Sequence, residues 1–155
     1  MSAIAPLPVP LPSTRRLEVR REQMVIEGHV LEDVALAGTL LGAPLGTAPV
    51  VLVVGGITAS PYPFGDAATG AEPWWPALEA EDLIDPARQT VLAFCWPGNG
   101  STWRDFDSAP LPPLSALGFA DLVAAWLDEI GCSSPVTYVG ASLGGLVGIA
   151  LAARH

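Results

Sequence analysis

The pentapeptide Gly140-Ala141-Ser142-Leu143-Gly144 sets a serine between two glycines at the spacing G-x-S-x-G. A sharp strand-to-helix turn requires that spacing: the serine takes a strained backbone conformation, and neighbouring side chains must be absent so that strand and helix can approach. A hydroxyl held there stands at the carboxyl end of a strand. The N–H groups that open the following helix then face negative charge developing on a substrate. The chemistry this predicts is nucleophilic catalysis, with Ser142 as nucleophile and the N–H of Leu143 as one oxyanion donor. A second donor is expected from the loop after an earlier strand. The segment "GGITAS" at residues 55–60 has that position, which makes Ile57 or Thr58 the candidate. Chance alone would place the pattern in roughly one such sequence in ten. Its context raises its weight, because it lies between a β-rich run, "VTYVG", and a helical one, "LGGLVGIALAAR".

A serine of this kind is served by a later Asp or Glu and then a His. After Ser142 the chain has no acidic residue, and its only histidine is His155. At helical rise His155 stands about 18 Å from the serine, out of hydrogen-bond reach. His29 belongs to an early hairpin and is not expected to act as a base. The triad acid and base are therefore expected to be absent from this chain, which predicts little or no turnover by the chain alone. Arg104 is read as a solvated loop arginine rather than an anion contact, and Asp105 and Asp107 as turn residues. Trp74, Trp75 and Trp96 are read as core or pocket wall, and Cys95 as a small buried hydrophobe. No metal-ligand spacing surrounds Cys95 or Cys132, which are read as free thiols in a reducing cytoplasm. No metal and no resident cofactor are expected.

The elements that must position Ser142 follow from the hydrophobic pattern. "RLEVRREQMVIEG" and "LEDVALAGTLLG" read as two short antiparallel strands around Gly28 and His29 at a sheet edge, the second alternating through Val34, Leu36, Gly38 and Leu40 with one buried face. "VVLVVGG", residues 50–56, is an uninterrupted β-branched run of the kind buried on both faces of a parallel sheet. A short helix is expected in "PWWPALEAEDLI", with Pro73 at its start and the tryptophans packed inward. "QTVLAFCW" is the next buried strand. Phe119, Leu122, Val123, Trp126, Leu127 and Ile130 then recur at helical spacing, with Ser115 as cap and Gly131 as terminator. "VTYVG" and the helix after it complete the order. Such alternation predicts an α/β domain: a hairpin, then three parallel strands with flanking helices, ending after the helix that follows Ser142.

Composition agrees with one domain. The chain has 155 residues, half of them hydrophobic, with 16 acidic against 7 basic residues and a formal charge of −9. This excludes a nucleic-acid footprint and offers an anionic acyl donor no general attraction. Residues 1–15, rich in alternating proline, read as a mobile or extended arm without the positive start of a signal peptide. Residues 16–155 read as the domain. Residues 136–153 are long and apolar enough to suggest a membrane span, but Ser142 and four glycines interrupt them. A buried strand and helix is the better reading.

These segments together resemble the homoserine O-acyltransferases. "LEDVALAGTLLG" is similar to the family's early strand, "VVLVVGGITAS" to its oxyanion strand and loop, and "WWPALEAEDLIDPARQTVLAFCW" to its tryptophan segment and next strand. "GFADLVAAWLDEIG" and "YVGASLGGLVGIALAARH" resemble its long helix and its serine turn. The resemblance, from about residue 24 onward, implies the N-terminal half of an α/β-hydrolase-fold enzyme of methionine biosynthesis. It implies ping-pong transfer of an acyl group from acetyl-CoA or succinyl-CoA, through Ser142, to the hydroxyl of homoserine or a related amino acid. It leaves room for a second chain supplying the C-terminal half, or for a homodimer. Two other readings stay open: a serine esterase or amidase, with water as acceptor, and a catalytically inert fragment or assembly partner.

Overall fold

The computed structural model describes residues 14–80, 83–98 and 112–155. β1 (Arg15–Ile26) and β2 (His29–Gly42) form the expected hairpin. Its two-residue turn, Glu27 and Gly28, has φ values of 50° and 79°, both positive as the twist of a tight hairpin requires. β3 (Val50–Val54), β4 (Thr90–Cys95) and β5 (Val136–Gly140) follow, with α1 (Ala77–Ala80), α2 (Ala116–Glu129) and α3 (Leu143–Arg154) between and after them. The sheet order is β1-β2-β4-β3-β5. β1, β2 and β4 pair antiparallel, while β3 pairs parallel with both β4 and β5. The chain thus steps from β3 to β4 on one side and returns past β3 to β5 on the other. Reversals of this kind open a crevice beyond the carboxyl ends of the strands.

The β-branched run at β3 is explained by cover on both faces. Val50, Leu52 and Val54 join Leu92, Phe94, Trp96, Leu122, Trp126 and Val147 in the larger core, under α2 and α3. Val51 and Val53 face a smaller core with Phe64, Leu78, Ile84 and Val91. One expectation needs correction: β2 is buried on both faces from Val34 to Leu41, rather than on one. Loop residues cover the second face, where the buried Thr39 hydroxyl donates to the Pro61 carbonyl at 2.5 Å and Leu41 enters the smaller core. The first helix also differs, being a single turn that starts at Ala77. Pro76 disfavours helical geometry at Trp75, so helix cannot extend back to Pro73. Trp74 and Trp75 precede it as a half-buried, tilted pair with centroids 5.5 Å apart. The proline-rich segment 1–13 and the positions Arg104, Asp105 and Asp107 lie outside the described residues, while Arg15, assigned above to the arm, opens β1.

α2 begins as its sequence predicts. The Ser115 side chain accepts from the amides of Leu117 at 3.1 Å and Gly118 at 3.4 Å, and Gly131 follows the helix at φ 76°. Its N-terminus also takes a partner that the sequence did not announce. Glu27, from the hairpin turn, accepts from the Ser115 amide at 2.8 Å and from its hydroxyl. The Ser115 hydroxyl bond, then the amide bond, hold the Glu27 carboxyl below its ordinary value of 4.5. A carboxyl depressed in the folded state stabilises fully above its unfolded pKa, and that contribution disappears as pH falls through the folded value. Glu27→Gln should therefore be less stable than the parent in urea melts near about pH 6, with the difference shrinking toward about pH 3. Equal differences at both values would remove Glu27 from the helix cap.

Candidate active site

The register of β3 against β5 pairs Val54 with Gly140, which brings the segments beyond them side by side. The Ala141 amide continues the pairing by donating to the Val54 carbonyl at 3.0 Å, and the Gly144 amide reaches the Gly55 carbonyl at 3.2 Å. Ser142 stands between, at φ 54° and ψ −121°, exposed, at the N-terminal end of α3. An L-residue avoids that conformation, at a cost of about 1–3 kcal/mol. The Ser142 side chain makes no capping hydrogen bond to α3, so its hydroxyl is not engaged by the helix it precedes.

The glycines of the pentapeptide are explained by approach distances. A Cβ on Gly140 would lie 2.6 Å from the Gly144 carbonyl oxygen, and one on Gly144 would lie 2.1 Å from that of Val54. Tyr138 fixes the same turn, its hydroxyl donating to the Gly144 carbonyl at 2.7 Å while burial raises its pKa. Tyr138 had no signal in the sequence, because its partner is a backbone oxygen met only once strand and helix are folded together.

The loop after β3 lies alongside. A Cβ on Gly56 would sit 3.5 Å from Ser142 Cβ and 3.8 Å from its Oγ, so this backbone runs directly against the serine. Gly56 belongs to the segment 55–60 read from the sequence as the donor loop, where only the paired glycines hinted at so close an approach. Ile57 and Thr58 form the middle of a turn closed by the Ala59 amide donating to the Gly56 carbonyl at 2.9 Å, and Ile57 is exposed. The amides of Leu143, Ile57 and Thr58 have no hydrogen-bond partner among the described residues. Ser142, Leu143 and the loop bearing Ile57 and Thr58 are thus neighbours at one end of the sheet. The N-terminal, positive end of α3 lies beside them.

The other candidates are elsewhere. His155 lies at the far end of α3, its Nε2 3.0 Å from Asp121 Oδ1, an oxygen that Arg154 Nε also meets at 3.1 Å. This imidazole and carboxylate are adjacent but serve the end of the helix, not Ser142. His29 is exposed at the start of β2. Trp96 is buried in the larger core and Cys95 is buried beside it. Cys132 is half-buried, with burial raising its thiol pKa, and both cysteines are free. Among the described residues no group of three His, Cys, Asp or Glu side chains could hold a metal ion. No described helix is long and apolar enough to cross a membrane.

A hairpin feeding a parallel sheet, with the serine turn after its third parallel strand, defines a chain of α/β-hydrolase fold. Comparison with solved structures agrees. Homoserine O-acetyltransferase from Staphylococcus aureus superposes with a TM-score of 0.79 over 92% of this chain and 43% of that one, at 17% identity. Esterase E22 superposes with a TM-score of 0.70 over 88% and 43%, also at 17% identity. No protein-family model matches the sequence. A curated relative, homoserine O-succinyltransferase of Xanthomonas campestris pv. campestris, is 35% identical over 124 residues, 79% of this chain and 31% of the relative. Over that span the chain belongs to the homoserine O-acyltransferase family, and it spans less than a third of that relative's length.

Proposed function

We propose that this chain carries the acyl-accepting centre of a homoserine O-acyltransferase, with Ser142 as nucleophile. The observation that carries the reading is Ser142 itself: a serine at φ 54°, its hydroxyl uncommitted to the helix, against the Gly56 backbone. In the first half-reaction Ser142 Oγ attacks the thioester carbonyl, the carbon–sulfur bond breaks and coenzyme A leaves as the thiol. In the second, the hydroxyl of homoserine or a related amino acid attacks the seryl ester and frees Ser142. The Leu143 amide and that of Ile57 or Thr58 stabilise the oxyanion of each tetrahedral intermediate. The two stages divide one difficult transfer into two easier ones. No cofactor is retained, since the acyl-CoA is a substrate. The free thiols support a cytoplasmic setting.

Among the described residues neither histidine serves Ser142, and we assign the proton acceptor to further sequence of the same polypeptide or to a second chain. The only histidines are His29 and His155, one exposed in the hairpin and the other paired with Asp121. This leads to a direct experiment. The chain is incubated with acetyl-CoA or succinyl-CoA, with and without added imidazole as a diffusible base, and Ser142 acylation is followed by mass spectrometry. Acylation should be slow alone and should rise at least about tenfold with imidazole. Acylation that is fast and indifferent to imidazole would place a working base within the chain. No acylation of Ser142 under either condition would reject the nucleophile. Product analysis with and without homoserine then separates transfer from hydrolysis, and the faster donor identifies the acyl group.

A further inference from the structure

We infer that Trp96 and Trp74 are positioning residues for the oxyanion loop, an inference that rests on the proposed role of Ser142. The two indoles hold opposite ends of residues 55–60. Trp96 Nε1 donates to the Gly55 carbonyl at 3.0 Å, and Trp74 Nε1 donates to the Ser60 carbonyl at 2.8 Å. Between these anchors lie Gly56, against Ser142, and the turn that presents Ile57 and Thr58.

Each anchor is itself held. Trp96 is 1% exposed, with Phe94 and Phe119 meeting its ring edge-on at centroid distances of 5.7 and 5.4 Å. Trp74 packs on Trp75 and fills the space beside Gly55, where a Cβ would lie 2.8 Å from its ring. Packing alone does not give an indole N–H its acceptor: Trp126 is buried in the same core with its Nε1 unpaired among the described residues. Trp96 and Trp74 take carbonyls that bound one loop. The oxygen used by Trp96 also accepts from Gly144, in the turn that carries Ser142. One carbonyl therefore ties the indole, the loop and the serine's helix to a common point. In a trans peptide the carbonyl and the following N–H point in opposite directions, so fixing the Gly55 oxygen on Trp96 also fixes how the Gly56 amide is turned. Donors that await an oxyanion work only if already oriented, and the two indoles supply that orientation without touching substrate.

The test uses Trp96→Phe and Trp74→Phe, each of which keeps an aromatic ring and removes the N–H. With imidazole added as in the acylation assay to accept the serine proton, Ser142 is modified with a fluorophosphonate: the serine oxygen bonds to phosphorus and the phosphorus–fluorine bond breaks, releasing fluoride. The maximal rate (kinact) should fall about tenfold in each variant, with half-saturation (KI) unchanged. Exchange protection of the Ala59 amide, which closes the loop's turn, should fall by a similar factor. An unchanged kinact in folded variants overturns the positioning role, as does a loss confined to KI, which would mark the tryptophans as pocket wall. If Trp96→Phe does not fold, the half-buried Trp74→Phe decides on the same readouts. Ser142→Ala separates the two failures. Equal labelling of parent and Ser142→Ala rejects the nucleophile, and the positioning role with it. Unchanged rates in tryptophan variants of a chain that labels at Ser142 reject the positioning role alone.

Discussion

Ser142→Ala should abolish covalent capture of an acyl group, a fall of at least about a thousandfold in the imidazole-assisted rate. The magnitude follows from what remains. The amides of Leu143 and the 55–60 loop, proposed above as oxyanion donors, are backbone groups and survive the change, as does the positive end of α3. They have no bond-forming partner once Oγ is gone. Stability should move little, because Ser142 is exposed and makes no capping bond to α3. Alanine at φ 54° bears the same backbone strain as serine, so it neither relieves nor adds to it. The measurement is mass-spectrometric occupancy at Ser142 together with thermal melts of both proteins. Acylation at another residue at the parental rate would refute the assignment. A large loss of stability would show that the serine serves the fold as well.

The second large effect is on folding. Gly144→Ala should destabilise the chain by about 4 kcal/mol or more, enough to unfold a domain of ordinary stability. In an exposed helix the same change would stabilise by about 1 kcal/mol, because alanine is the better helix former. Here its Cβ would lie 2.1 Å from the Val54 carbonyl oxygen and 2.7 Å from that of Gly55, backbone atoms that cannot turn aside. Steric cost exceeds propensity, and the sign reverses. The adjacent position is the control, since a Cβ on Gly145 meets nothing closer than the Gly140 carbonyl oxygen at 3.4 Å. Gly145→Ala should be neutral or slightly stabilising. Denaturant melts of the pair provide the check, and equal stability of the two variants would show that α3 can shift away from β3.

The difference between Gly144 and Gly145 indicates where sequence is informative. Period and propensity are local, so the hairpin, the three parallel strands and the capped helix α2 are legible from side chains a few positions apart. The serine turn is legible for the same reason, because its glycines stand at fixed offsets from Ser142. The double burial of β2 is not local: an alternating strand and one covered later by the Pro61 loop read alike. Nor does the sequence announce that Glu27 reaches α2, that Tyr138 bonds the Gly144 carbonyl, or that Trp96 bonds Gly55. Each joins a side chain to a group brought near by sheet order and register. His155 offers the converse lesson, since its distance from Ser142 follows from helical rise alone, while its bond to Asp121 needs the packing of α2 on α3.

The pairing of β3 with β5 has a kinetic consequence. It joins Val50 to Val136 and Val54 to Gly140, so the chain must close a loop of most of its length before Gly56 and Ser142 can meet. Loop closure over such separations is slow compared with forming α2 or the β1–β2 hairpin, whose contacts are local. Reactivity at Ser142 should therefore appear only in the last phase of refolding, after the helical signal has recovered, which would make a serine-directed label a clock for the completion of the native sheet.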